Sequence, residues 1–522
     1  MTDTAAPTAT APDDDKLDRG LLLVASVVVI GAIMSILDVT VVNVAIQTLA
    51  REFDTSLTTI QWVATGYTLA LATVIPITGW AADRFGTKRL YLISIVLFVL
   101  GSILSGLAWS AGSLIFFRVL QGFGGGMLMP LGMTILTRAA GPQRIGRVMA
   151  VMGVPMLLGP IFGPILGGWL VDSYSWHWIF FINVPVGIAA IVMTVKILPR
   201  DVSAPNERLD WLGLVLLSPS LAAIIFGLAK SNEAGGFNAP EVLVPVIAGL
   251  LVLGVFIWHA LRTTDPLIDL RLYANKVFSA SSATLVLMII AVFGGLLLVP
   301  LYFQAVRGED ALSTGLLLAP QGFGSMIMMP IAGRLVDRTG VGRIVPAGLV
   351  VVGLSFLGLT QLEADTSYWL IGFILFIQGV GMGATMMPVF SGAMQTLRRR
   401  DISRASTTLN IQQQVGASIG TAVLSVLLAT AITNRLAGIG AGGGSGSGSE
   451  SGIGAAAGLP PEARAQIAGP MAEAFGQTFW WALGLVVIAF VVAVALLPKD
   501  KPEPVDDPDD DPADAAPVLM HA

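Results

Sequence analysis

Two charged residues of this chain fall inside apolar runs, Asp38 and Arg118. Asp38 belongs to Leu37-Asp38-Val39-Thr40-Val41-Val42-Asn43, within the run Leu21–Ile46, which is long enough to cross a bilayer. A charge at the middle of a spanning helix costs roughly 2.5–3.5 kcal/mol. A membrane carboxylate that faces the protein interior can take up and release a proton or an ion. The alternative is a structural acid, hydrogen-bonded and silent. Arg118 offers the matching positive charge. At a 1.5 Å rise per residue it lies about 6 Å from one face and Asp38 about 12 Å from the same face, a difference its side chain can cover. The alternative for Arg118 is snorkelling to the headgroups.

The chain has 522 residues, 54% hydrophobic and 12% charged, with a mean hydropathy of +0.79. Soluble proteins carry about 25% charged residues, so the expectation is an all-α polytopic membrane protein. Cysteine is absent, which excludes thiol catalysis and cysteine metal sites. His177, His259 and His521 show no metal-ligand spacing. There is no Gly-x-x-x-x-Gly-Lys loop and no nucleophile–base pair in a span. These absences point away from an enzyme, a cofactor, a metal and a nucleic-acid partner. The expected partners are a small-molecule substrate, protons and the lipid bilayer, for a monomer.

Apolar runs recur near 20–46, 58–82, 90–108, 114–137, 148–171, 178–198, 210–229, 242–261, 277–304, 314–336, 344–362, 368–390, 405–432 and 476–498, predicting 14 transmembrane helices. With the N-terminus inside, 23 of the 29 Lys and Arg fall on the inner side. Five (Arg51, Lys230, Arg307, Arg435, Arg464) fall outside, and Arg118 lies within a span. A missed helix would reverse every later loop and destroy that bias. Residues 1–19 and 499–522 read as disordered cytosolic tails. The Gly/Ser-rich stretch 433–475 reads as a flexible extracytoplasmic loop with a short helix near Pro460–Ala468.

The chain repeats itself. Gly79-Trp80-Ala81-Ala82-Asp83-Arg84-Phe85-Gly86 returns 254 residues later as Gly333-Arg334-Leu335-Val336-Asp337-Arg338-Thr339-Gly340. Leu120-Gln121-Gly122-Phe123-Gly124-Gly125-Gly126 returns 257 residues later as Ile377-Gln378-Gly379-Val380-Gly381-Met382-Gly383. This predicts two six-helix repeats, 20–200 and 277–498, with two inserted helices in 201–276. Repeated halves with a site at their interface are a secondary-transporter architecture. The repeat partner of Arg118 is Leu375, so the arginine is not needed for the shared fold. In 148–171, Gly159, Gly163 and Gly167 share one helix face, where a neighbouring helix can approach closely. Pro155, Pro160 and Pro164 favour a bend. Packing alone would also explain that face. Asp83, flanked by Arg84, Lys88 and Arg89, can form a charge latch with Gly79 and Gly86. Polar and aromatic residues on spans expected to line a cavity are Asn43, Gln61, Trp62, Tyr67, Gln121, Gln304, Gln321, Asn410 and Gln413, each equally able to join helices.

Over about residues 20–498 the chain resembles the major facilitator superfamily and, within it, the fourteen-helix drug:proton antiporter family. Four segments carry the resemblance: Leu37–Ala45, Gly79–Arg89, Arg118–Gly122 and Gly159–Gly168. The first ends in Ile46-Gln47 where the family has Leu-Pro, and Ala81 and Thr87 replace Leu and Arg in the second. The resemblance implies that Asp38 and Arg118 couple protons to transport. It also implies that Gly159, Pro160, Gly163, Pro164, Gly167 and Gly168 form a pivot biasing the carrier toward export. The expected function is proton-coupled antiport that exports hydrophobic or amphiphilic compounds, as in multidrug efflux. The alternatives are export of an endogenous lipid, siderophore or metabolite, and a nutrient symporter, against which the span 5 motif argues.

Overall fold

The structure is a computed structural model that describes residues 19–140, 173–199, 209–233, 236–264, 266–309, 311–398, 401–438 and 461–499, and, within 141–172, positions 144, 148, 159, 162, 163 and 166–171. Thirteen helices among the described residues are long and apolar enough to cross a membrane. They coincide with thirteen of the fourteen expected spans. The remaining one, 148–171, lies mostly outside the described residues, and its described residues from 159 to 171 are helical. Helices serve here because each one satisfies its own backbone polar groups, which lipid cannot do.

The first half contains α1 (Arg19–Glu52), α2 (Leu57–Phe85), α3 (Thr87–Gly106), α4 (Ala111–Ala140) and α5 (Asn183–Ile197). A single helical turn, Trp178–Phe181, leads into α5. The inserted pair is α6 (Trp211–Glu233) and α7 (Pro240–Arg262), followed by a 3-10 elbow, Leu270–Ala274. The second half contains α8 (Lys276–Ala305), α9 (Ala311–Thr339), α10 (Val341–Leu359), α11 (Tyr368–Gly383), α12 (Met386–Gln395), α13 (Ile402–Gly438) and α14 (Pro461–Leu496).

The repeat is a repeat of contacts as well as of letters. A Cβ on Gly124 of α4 would lie 2.5 Å from Phe98 N and 2.7 Å from Ser94 O of α3. A Cβ on Gly381 of α11 would lie 2.7 Å from Val352 N and 3.0 Å from Gly348 O of α10. Each member of the second set is the first shifted by 257 residues on the glycine helix and 254 on its neighbour. Glycine lets both helix pairs meet backbone to backbone. The links α2–α3 and α9–α10 also match: each turns on one glycine, Gly86 at φ +89° and Gly340 at φ +82°, where other residues are strained.

The register slips from 254 to 257 between α10 and α11, in the link 360–367, the counterpart of the short link 107–110. That longer link is tied down. Tyr302 Oη donates to Glu363 O at 2.6 Å and Arg307 Nη1 to Ala364 O at 2.5 Å, while the Arg307 guanidinium lies 4.4 Å from the Tyr368 ring.

Lys88 has a defined contact. Its Nζ donates to Val195 O and Leu198 O, at 2.9 and 2.6 Å, and so closes the C-terminal end of α5. The inserted pair is held at its base by Asp210. Its Oδ1 lies 2.8 Å from His259 Nε2 and accepts from Gly213 N, and its Oδ2 accepts from Leu267 N.

Within the region expected as a flexible loop, 433–475, the described residues, 433–438 and 461–475, are helical. Helix α13 continues to Gly438 and α14 begins at Pro461, running unbroken into the last span, so the short helix expected near 460–468 is its first turns. Alanine-rich 461–474 favours helix, and proline is tolerated at the first helical position. Residues 439–460, the tails before 19 and after 499, and 200–208 lie outside the described residues.

Candidate functional site

Four helices bring one carboxylate into a closed network. Asp38 sits on α1, Arg118 and Gln121 one helical turn apart on α4, and Asn183 at the start of α5. Arg118 Nη1 donates to Asp38 Oδ2 at 2.5 Å and to Gln121 Oε1 at 2.8 Å. Gln121 Nε2 and Asn183 Nδ2 both donate to Asp38 Oδ1, at 2.8 and 3.0 Å. All three groups bonded to the carboxylate are donors, the pattern an ionised Asp takes. Arg118 Nε reaches Val63 O of α2 at 3.3 Å, and its guanidinium lies 4.1 Å from the Tyr67 ring and 5.8 Å from the Phe180 ring. Asp38 is 2% exposed and Arg118 1%, so the arginine does not snorkel to the headgroups.

Asn183 and Ser102 are absent from the sequence reading. Asn183 Nδ2 also donates to Ser102 Oγ at 3.0 Å, and that hydroxyl donates to Phe180 O at 2.9 Å, which fixes the amide toward Asp38. A lone amide in the apolar stretch Ile179–Val186 was the available signal.

The Gly159–Gly167 face packs on α1, within the same half. A Cβ on Gly159 would lie 2.1 Å from Ile36 Cγ2, one on Gly163 would lie 2.0 Å from Thr40 Oγ1, and one on Gly167 would lie 3.1 Å from Val41 O. These contacts flank Asp38 on its own helix. Gly168 faces open space. Pro160 and Pro164 lie outside the described residues.

Asp83 joins the two halves through partners other than its sequence neighbours. Its Oδ1 accepts from Arg138 Nη2 of α4 at 2.9 Å, and Ser403 Oγ of α13 lies 2.8 and 2.6 Å from its two oxygens. Gly79 sits against Ser403, Arg404 and Thr407. Nearby, Ser406 Oγ donates to Pro130 O and Asn410 Nδ2 to Met133 Sδ. The halves are thus closed together at the Asp83 end. Removing the hydroxyl with Ser403→Ala should favour opening there by roughly tenfold, the worth of one charge-assisted hydrogen bond. A cysteine placed at Thr407 of this cysteine-free chain should then react correspondingly faster with a water-soluble maleimide.

The other proposed cavity residues divide. Tyr67 and Gln121 belong to the Asp38 network. Trp62 stacks on Phe226 of the inserted α6 at 5.7 Å. Gln321 pairs with Gln378, Asn410 lies at the seam between halves, Gln61 and Gln413 are half-buried, and Gln304 is exposed. The Asn43 side chain lies outside the described residues.

The family profile described as Major Facilitator Superfamily matches residues 28–421. The "Multidrug resistance protein B homolog" of Mycobacterium tuberculosis (strain ATCC 25618 / H37Rv) is 46% identical over 414 residues, covering 79% of this chain and 77% of that protein. The "Multidrug export protein EmrB" of Escherichia coli (strain K12) is 32% identical over 392 residues, covering 75% and 77%. Among solved structures, the human organic anion transporter MFSD10 (TETRAN) aligns with a TM-score of 0.62 at 16% identity, covering 91% of this chain and 99% of that one, a likeness of fold alone.

Proposed function

Because the chain belongs to the major facilitator superfamily, we propose that it is a proton-coupled exporter of hydrophobic or amphiphilic compounds that works by alternating access. The observation that carries this reading is the buried Asp38 held by Arg118, Gln121 and Asn183. Protonation of Asp38 removes the charge that holds Arg118 and turns one of its oxygens into a donor facing N–H groups, which weakens the pair and frees α1 to shift against α4. The Gly159–Gly167 face on α1 carries that shift into the neighbouring span. Proton and substrate then favour opposite states of one carrier. The names of the relatives, a multidrug resistance protein and a multidrug export protein, support the export of varied compounds.

The charge bias supports a cytosolic Asp83 end, so the halves are closed toward the cytosol and both termini are cytosolic. A tag placed within 440–452 should accordingly react with impermeant reagents in intact cells; protection of that tag would refute the orientation. The function is tested in everted membrane vesicles with an acidic interior and ethidium outside. Dye uptake that collapses with the pH gradient supports export by proton exchange. Dye movement indifferent to the gradient would refute it.

A further inference from the structure

The second half contains an uncharged counterpart of the Asp38 network, and we propose that its paired amides, Gln321 and Gln378, hold a neutral hydrogen-bonding group of the substrate. The equivalence comes from the repeat. Gln378 is Gln121 shifted by 257 residues, and Gln321 is Tyr67 shifted by 254. The contacts agree with the letters: a Cβ on Gly122 would lie 2.7 Å from Tyr67 O, and one on Gly379 would lie 1.9 Å from Gln321 O. Likewise Gly125 faces the Tyr67 hydroxyl, and Met382, 257 residues on, offers its Sδ to Gln321 Nε2 at 3.6 Å. Where the first half has Arg118, the second has the buried Leu375. Helix α8, which answers to α1, has no acid or base between Val277 and Ala305.

What stands in this place is an incompletely satisfied amide pair. Gln321 is 7% exposed and Gln378 2%. Gln321 Nε2 donates to Gln378 Oε1 at 2.9 Å. Among the described residues no hydrogen bond reaches Gln321 Oε1 or Gln378 Nε2, and neither atom is fully buried. Turning both amides over exchanges the roles and still leaves one donor and one acceptor. The free donor and acceptor are thus open to water, and a ligand that enters can take the place of that water on both atoms. A donor beside an acceptor, with the Met382 thioether and the side chain of Leu375 in place of a charge, suits a carboxamide, lactam or hydroxyl-bearing group rather than an ion. Amides do not titrate, so this contact persists while Asp38 gains and loses its proton.

The proposal rests on the export reading, and two probes separate them. Tetraphenylphosphonium has no N–H or O–H group, whereas chloramphenicol is neutral and carries an amide and hydroxyls. Both are followed in proteoliposomes under a pH gradient, with wild type, Gln378→Leu and Gln321→Leu. The expected result is a KM for chloramphenicol raised about tenfold, with kcat changed less than about twofold, alike at about pH 6 and about pH 8. Tetraphenylphosphonium transport should be unchanged, which also shows that the variants fold. Equal losses for both probes, or no change for either, would overturn the amide assignment while leaving export intact. Wild-type protein that moves neither probe would instead overturn the export reading.

Discussion

Asp38→Asn should abolish proton-driven export while leaving substrate binding in place. The asparagine oxygen can still accept from Gln121 Nε2 and Asn183 Nδ2, so the fold around it survives. Its Nδ2, however, would point at Arg118 Nη1, donor against donor, where the native oxygen accepts at 2.5 Å. The residue can neither take a proton nor hold the ion pair. Coupled flux should fall by ~100-fold or more, the scale on which losing a proton-transfer group acts. Arg118→Ala should be as inactive and less stable, because removing one member of a buried pair costs about 3–5 kcal/mol. Arg118→Lys should keep at most part of the flux, since an ammonium cannot reach Asp38, Gln121 and Val63 O with fixed geometry. One carboxylate implies about one proton per cycle from this site. Dye efflux recorded with internal pH in proteoliposomes measures both fluxes. Asp38→Asn vesicles that still move protons with substrate would make Asp38 structural.

Gly163→Leu should stop transport by a different route. A Cβ there would come within 2.0 Å of Thr40 Oγ1 and 2.4 Å of Thr40 Cβ. Thr40 is fixed, its hydroxyl lying 3.0 Å from Leu37 O and 3.2 Å from both Ile36 O and Gly159 O. The strain therefore pushes on α1 two residues from Asp38. Overpacking of this kind costs about 1–3 kcal/mol, little enough for insertion but enough to misplace a carboxylate held by three donors. Gly168→Ala, one residue beyond the same face, meets open space and should transport normally. Efflux normalised to inserted protein measures the contrast, and wild-type efflux from Gly163→Leu would refute it.

Residues with unusual chemistry for their surroundings were legible in the sequence. A carboxylate and a guanidinium inside apolar runs each need a partner, and similar depths led to the Asp38–Arg118 pair. The repeat was legible for the same reason, since glycines at helix crossings cannot be exchanged freely. Partners with unremarkable chemistry were not. Asn183, Ser102 and Ser403 are short polar side chains of a kind scattered through every span, and only packing decides which of them meets Asp38 or Asp83. Asp83 was read with its sequence neighbours, whereas its ion pair to Arg138 joins two helices that no sequence spacing links. Trp62 was equally able to line a cavity or to join helices, and its ring stacks on Phe226 of the inserted α6.

The two copies of the repeat differ at one corner. The three residues by which they differ fall where α10 turns into α11, and the lengthened turn presents Glu363 O and Ala364 O to side chains from the end of α8. The first copy crosses from α3 to α4 on the four-residue link 107–110, too short to offer such a bracket. A carrier assembled from twins thus carries this side-chain bracket on one of its two jaws. Motion at the end away from Asp83 should be taken up chiefly by the shorter-linked first half.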